Sequence, residues 1–463
     1  METKQLTKFE KNIMIGLTLT ASFLSVLMMF LLITAFPKIM VEFAVNSTQV
    51  QWLTTSFMLT MTILIPITAY FIDTYGTRAV MLVSMVLFVL GTFISLIANS
   101  FGVLLLGRII QGMGSGMMMP LMQTILYILF PRSKRGYAMG LAGMIINVAP
   151  AVGPPLSGLL IHSFGWRSLF YVPLPIGLLL VVGVYFFMHN VTEKKATQID
   201  FPSILLSTIG FGTALYGFTM LQDQGELSLV TILSMFLGLL AIGFFVHRQL
   251  KLEIPILEVR VLKTPVFSLV SFISILAFTL LISFETMMPM FVQNAQGFSA
   301  YYGGLVVMPG ALTLAIVSFI AGKLFDLYGG KMIVLIGFIM IGMSGLFAYI
   351  FFDLTTPFII AVVVFMLAMA GSALINMPVM TIGINALPDD LIPHGTSVIN
   401  TLRQFGGTLG LVFIVSFISR EEGEGAGIDP SKYMEGVSSA FFVISLLALA
   451  GFLLSLFIKE GKK

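Results

Sequence analysis

The chain has 463 residues, of which 58% are hydrophobic and 10% charged, with a formal net charge of +3 and no cysteine. A water-soluble domain of this size cannot hide so much apolar surface, because its exterior must be largely hydrated. The missing thiols exclude disulfides and thiolate metal sites, and His162, His189, His247 and His394 show no ligand spacing.

A bilayer core of about 30 Å takes roughly 20 apolar residues per helix. Fourteen such runs follow one another, near 13–36, 50–72, 79–99, 103–129, 137–161, 168–188, 201–221, 229–246, 266–292, 302–325, 332–352, 357–386, 395–419 and 437–458. They lack period-two alternation, so helices rather than barrel strands are expected. The first run is too long for a signal-peptide core and has no small-residue cleavage site, which predicts a retained helix. The short polar joints at 73–78, 131–136 and 326–331 carry turn chemistry.

Basic residues orient the bundle. With the N-terminus in the cytoplasm, eighteen of the 24 lysines and arginines fall on the cytoplasmic side, Arg78, Arg132, Arg135, Arg260 and Lys331 among them. Lys38, Arg167, Arg420 and Lys432 fall outside, and Arg108 and Arg403 stay within helices. An even number of spans returns the C-terminal lysines to the cytoplasm.

One motif occurs twice. Ala69-Tyr70-Phe71-Ile72-Asp73-Thr74-Tyr75-Gly76-Thr77-Arg78 is echoed by Gly322-Lys323-Leu324-Phe325-Asp326-Leu327-Tyr328-Gly329-Gly330-Lys331, at an offset of 253 residues that also pairs Asn147 with Asn400 and Gly153 with Gly406. A single offset predicts two related six-helix halves, at 1–190 and 263–463. The intervening 191–262 then carries an extra pair of helices. Related halves around a midplane site are the plan of many secondary transporters.

Several motifs together resemble the major facilitator superfamily, and within it the fourteen-helix drug:proton antiporters of the lincomycin-type and multidrug exporters of Gram-positive bacteria. Asp73, Gly76 and Arg78 match the superfamily's loop motif after the second helix. Arg108-Ile109-Ile110-Gln111-Gly112-Met113-Gly114 resembles the fourth-helix motif. Ala149-Pro150-Ala151-Val152-Gly153-Pro154-Pro155-Leu156-Ser157-Gly158 resembles the fifth-helix motif that marks antiporters, and Asn400-Thr401-Leu402-Arg403-Gln404-Phe405-Gly406-Gly407 a late-helix signature of this branch. There are departures: Met28 and Ile33 stand where many members carry an acid or amide, and Ala69 and Thr74 replace a usual glycine and a usual basic residue. The resemblance implies an all-α membrane protein with the major facilitator fold, two six-helix bundles plus two linking helices.

Of 21 acidic residues only Glu285 lies well inside a predicted span. A charge at the bilayer centre costs about 3 kcal/mol on insertion scales, so it is kept for a use or a partner. Burial favours the neutral acid, so such a carboxyl group can take a proton on one side and give it up on the other. It can instead bind a cationic drug, and competition between the two amounts to antiport. The alternative is a structural partner for an arginine or a backbone donor. Thr286, Met287, Met288, Pro289 and Met290 suit a pliable substrate wall or a lipid-facing surface, and Met288 is taken as a contact.

By resemblance Arg108 sits near the cavity and influences proton binding; otherwise it is a snorkelling anchor. Arg403 and Gln404 read as structural. Gln123 and Asn376 are expected in the substrate pocket, although most intramembrane amides glue helices together. Asp73, Gly76 and Arg78 with Asp326 and Lys331 are expected to form a latch on the cytoplasmic face, the acids capping a helix and pairing with a base across the halves. Pro150, Gly153, Pro154 and Gly158 do backbone work: close approach at the glycines, a bend at the prolines.

No phosphate-cradling loop argues for ATP-driven transport, and no pore-lining row of charges for a channel. The expected function is proton-coupled export of hydrophobic, often cationic, drugs through the plasma membrane, with both termini cytoplasmic. Coupled uptake of a nutrient or movement of a lipid, with Na+ as a possible alternative ion, is the rival, and an intramembrane enzyme a more distant one. No metal, organic cofactor or nucleic-acid partner is expected; the partners are drugs, protons and the bilayer, and the chain is expected to act as a monomer.

Overall fold

The computed structural model describes residues 7–194, 200–224, 228–419 and 430–459, and among these every long element is an α-helix and none is a strand. Thirteen helices are long and apolar enough to cross a membrane. One of them, Ser47–Leu96, runs for 50 residues, about 75 Å and more than twice a bilayer core. It breaks at Gly76, where φ is 82° and ψ 160°. Its two arms each span, and the count becomes fourteen.

In chain order the spans are α1 (Lys8–Leu31), α2 and α3 (47–75 and 77–96), α4 (Phe101–Leu129), α5 (Arg135–Phe164) and α6 (Pro173–Phe187). Next come α7 (Phe201–Gln224) and α8 (Leu229–Lys251). The second half holds α9 (Pro265–Met290), α10 (Ala300–Tyr328), α11 (Lys331–Phe351), α12 (Phe358–Asn385), α13 (Ile392–Ser419) and α14 (Pro430–Ser455). The expected first span proves composite: α1 is followed by a turn at Ile33–Ala35 and a short helix Phe36–Phe43 with Pro37 in its first turn, where a fixed φ and a missing N–H cost nothing. The expected outer joint 420–436 begins outside the described residues, and α14 already starts at Pro430.

The 253-residue repeat has a backbone counterpart. Gly76 and Gly329 sit at φ 82° and 84° with ψ 160° and 170°. That region is essentially restricted to glycine, so the repeated glycines mark repeated chain reversals.

Each half has its own apolar core. One contains Met28, Leu53, Phe88 and Leu121, the other Phe284, Phe338, Phe365 and Phe441. A third core crosses between them, joining Met122, Tyr127 and Met139 to Met377, Met380 and Ile399. Glycine lets α5 and α10 touch along this seam: a Cβ on Gly140 would lie 2.8 Å from the Cα of Gly322. Exposed Leu179, Phe186, Phe236 and Leu453 form an apolar exterior suited to lipid.

The extra pair α7–α8 lies against both halves, α7 packing on α2 and α13. Trp52 of α2 stacks on Tyr216 at 5.8 Å, and Phe405 of α13 meets Phe211 and Phe218 edge-on. At the basic end of the pair, Arg248 donates to both carboxylate oxygens of Asp200 at 2.9 and 2.8 Å. The hydrogen bonds from Arg248 hold the Asp200 carboxyl below the usual carboxylate range.

Candidate transport site

Among the described residues, the side-chain hydrogen bonds between the six-helix halves lie toward the end that carries the basic loops. Asp326, in the last turn of α10, accepts from the backbone N–H groups of Gly136 and Tyr137 at 2.9 and 2.7 Å. A carboxylate is well placed there, because the first N–H groups of a helix lack intrahelical partners. Asp73, in the matching last turn of α2, accepts from His394 Nε2 at 3.1 Å near the start of α13. The N–H of Glu258 donates to His394 Nδ1 at 3.0 Å, so the ring proton sits on Nε2 and points at Asp73. Thus each half's joint acid docks on the first turn of a helix from the other half.

Around these two contacts Arg135 donates to Asp389 at 3.1 Å, to Asn385 at 3.0 Å and to the Tyr127 carbonyl at 2.9 Å. Deeper, Thr124 meets Thr396 at 3.1 Å, Tyr127 meets Thr381 at 3.3 Å, and Asn147 donates to Ser318 at 3.1 Å. At the other end the bonds among the described residues stay within one half: Glu42 accepts from Trp166 and Arg167, and Asn294 donates to Tyr433. Among the described residues, the seam is therefore tied at the basic end alone.

The latch set divides. Asp73 and Asp326 bridge the halves. Arg78 instead donates to the Tyr185 carbonyl at 2.6 Å, and Lys331 to the Leu456 carbonyl at 2.5 Å, each in its own half. Asp73 and Asp326 thus reach the other half through an imidazole and two backbone N–H groups, and Arg78 and Lys331 anchor the ends of neighbouring helices. Gly76 supplies the turn; a Cβ there would meet Asn190 Oδ1 at 2.5 Å.

Glu285 is half-buried in the last third of α9. Among the described residues, no hydrogen bond or ion pair engages its carboxylate. Arg108 does not approach it. Its guanidinium is fully buried and donates to the carbonyls of Leu53 and Met28 at 3.1 and 3.2 Å and to Gln111 Oε1 at 2.6 Å, over the Phe57 ring. This is neither the expected anchor reaching for the interface nor a direct carboxylate partner: it ties α1, α2 and α4 together. Met288 is wholly buried in the second half's core, so the expected drug contact is packing here, its side chain enclosed by neighbours of its own half.

Gln123 and Asn376 do lie near the seam. Gln123 Oε1 accepts from Asn400 of the other half at 2.5 Å. Asn376 Oδ1 accepts from Arg403 Nη2 at 3.2 Å, and that guanidinium covers Phe278 at 5.0 Å.

On α5 helical structure continues through Pro150, Pro154 and Pro155. Gly153 fits the expected close approach, a Cβ there meeting Phe30 at 3.1 Å, but Gly158 is exposed with open space around it. The close crossing of α5 is made by Gly136 and Gly140 instead, nearer the sealed end.

The profile of the Major Facilitator Superfamily matches residues 18–411. The chain belongs to the Major Facilitator Superfamily. It is 44% identical over 459 residues to the MFS-type transporter YcnB of Bacillus subtilis (strain 168), covering 98% of this chain and 96% of the relative. It is 33% identical over 461 residues to the Lincomycin resistance protein LmrB of the same organism, covering 97% and 96%. Among solved structures, the human organic anion transporter MFSD10 (TETRAN) superposes with a TM-score of 0.69 at 14% identity over 96% of this chain and 99% of that one, a likeness of fold alone. The protein is thus a multi-pass membrane transporter and not an enzyme.

Within this superfamily member, sequence reasoning missed Arg135, Asp389 and His394. Asp389-Asp390 left one signal: an acidic pair in a joint on the basic side, facing the Arg132–Arg135 joint of the other half. His394 left none, because its partner Asp73 is 321 residues away.

Proposed function

We propose that this transporter is a proton-coupled multidrug efflux antiporter of the plasma membrane, with both termini in the cytoplasm. The observation that carries the reading is Glu285, an acid within a membrane-spanning helix that no arginine or lysine occupies. An intramembrane carboxylate is costly unless it serves transport or has a partner. Similarity to the Lincomycin resistance protein LmrB supports export of drugs as the use.

In this reading the basic end is cytoplasmic, and a seam tied there and not at the other end belongs to the outward-facing stage of the cycle. Glu285 then releases a cationic drug as it takes up a proton from outside. Opening of the cytoplasmic seam returns the proton and admits the next drug. Proton and drug exclude each other, so a monovalent cation exchanges for one proton when Glu285 is the single titrating group. Arg108 has a supporting role, holding α1, α2 and α4 in register beside the cavity.

The test is dye efflux in everted vesicles with an imposed pH gradient. Glu285→Gln is expected to abolish drug-induced proton release while drug still binds. Unchanged proton release in this variant removes Glu285 from coupling; a Na+ gradient that replaces the pH gradient reassigns the ion.

A further inference from the structure

Arg403 is a buried cation with an incomplete set of partners. Its side chain is 6% exposed, Nη2 reaches Asn376, and Nη1 has no acceptor among the described residues. Among the described residues, no carboxylate forms an ion pair with it. Buried charges are normally neutralised or fully hydrogen-bonded, because desolvation is expensive. Close by, Gln123 is fully buried, and its Nε2 likewise has no acceptor.

These orphan donors belong to one connected group. Gln123 of α4 bonds Asn400 of α13, Arg403 lies one turn beyond Asn400, and Arg403 bonds Asn376 of α12. The group crosses from one half to the other in the basic-end third of α4 and α13 and has more donors than acceptors. The Gln123–Asn400 bond joins the halves, so separating them at the basic end breaks it and frees one N–H of Asn400 Nδ2, whose other N–H stays on the Thr396 carbonyl, together with Gln123 Oε1. Arg108 also has an unbonded nitrogen, but its partners Leu53, Met28 and Gln111 all belong to the first half, which leaves it off the seam.

Resting on the drug-export reading above, we propose that Arg403 and Gln123 form an anion subsite for the transported molecule. The favoured substrates are then zwitterionic amphiphiles bearing a carboxylate or similar oxyanion, rather than simple cations. The spacing follows from α9. Arg403 lies over Phe278, and Glu285 is seven residues further along the same helix face, about 10 Å away at 1.5 Å per residue. A substrate with its anion at Arg403 and its cation at Glu285 satisfies both buried charges. A simple cation satisfies one and is repelled by the other.

The experiment compares rhodamine B, a zwitterion with a free carboxylate, with its ethyl ester, a cation on the same ring system. Binding to the purified full-length protein in detergent is read by fluorescence polarisation, without any gradient. Wild type is expected to bind rhodamine B at least about tenfold more tightly than the ester, the scale of one charge-assisted hydrogen bond. Arg403→Met is expected to erase that preference by weakening rhodamine B alone, and Arg403→Lys to restore part of it. Gln123→Leu should cost rhodamine B roughly threefold and the ester nothing, which keeps the test standing when Arg403→Met does not fold.

Equal affinity of wild type for the two dyes, no binding of rhodamine B, or equal weakening of both dyes by the Arg403 and Gln123 variants overturns the subsite. A binding preference that survives in Glu285→Gln, in which proton release is read separately, distinguishes failure of the coupling scheme from failure of this site.

Discussion

At the residue scale, two kinds of position carry the most information: glycines whose backbone admits nothing else, and charges in places where charge is expensive. Gly76 and Gly329 hold positive φ with extended ψ, and a side chain there is strained by about 1–3 kcal/mol. Gly329→Ala is therefore expected to lower the thermal midpoint of the purified protein clearly. Gly158→Ala, in open space, should change stability by less than about 0.5 kcal/mol. A matched loss in both variants would place the strain elsewhere. Glu285 and Arg108 stood out in the sequence for the same reason, an ionisable group inside an apolar run. Their surroundings did not: Arg108 turned out to be held by carbonyls of its own half, and Glu285, among the described residues, by no basic partner.

At the element scale, the extra hairpin α7–α8 is a wedge rather than a spectator, in contact with both α2 and α13. Its basic end is closed by the Asp200–Arg248 fork. Because Asp200 has a lowered pKa in the folded protein, the fork's contribution is fully present above the unfolded carboxylate value of about 4. It is lost as pH falls through the lower folded value. The difference in thermal midpoint between wild type and Asp200→Asn is thus expected to be largest near neutral pH and to shrink under acid conditions. A difference independent of pH would assign the effect to packing. The hairpin's existence was legible from two apolar runs between the halves, but its docking was not, since Phe211, Phe218 and Phe405 are ordinary apolar residues until α13 meets α7.

At the scale of the whole molecule, the halves close by a pseudo-symmetric exchange: Asp73 to the start of α13, Asp326 to the start of α5. Hydrogen bonds to charged groups contribute about 1.5–3 kcal/mol each, so removing one shifts the open-to-closed ratio at this end by about tenfold or more. The chain has no cysteine, so Ser133→Cys and Asp390→Cys supply a unique pair for spin labels across the seam. Asp326→Ala is expected to add a longer distance to that pair's distribution, and Arg135→Met to act in the same direction. An unchanged distribution in both variants would mean that Gly136, Gly140 and Gly322 hold the seam by packing alone.

The amino-acid sequence by itself determined the membrane and the helices, and predicted an even number of spans and two related halves. These follow from apolar run length, the placement of basic residues and one repeated offset, all readable along a single chain. Gly76 and Gly329 were legible because a chain reversal makes a local demand. Which groups share the seam was settled only in three dimensions. Asp73 finds His394, Gln123 finds Asn400 and Arg135 finds Asp389 across hundreds of residues. A hydrogen bond depends on distance and direction, and helix packing sets both without leaving a trace in local composition.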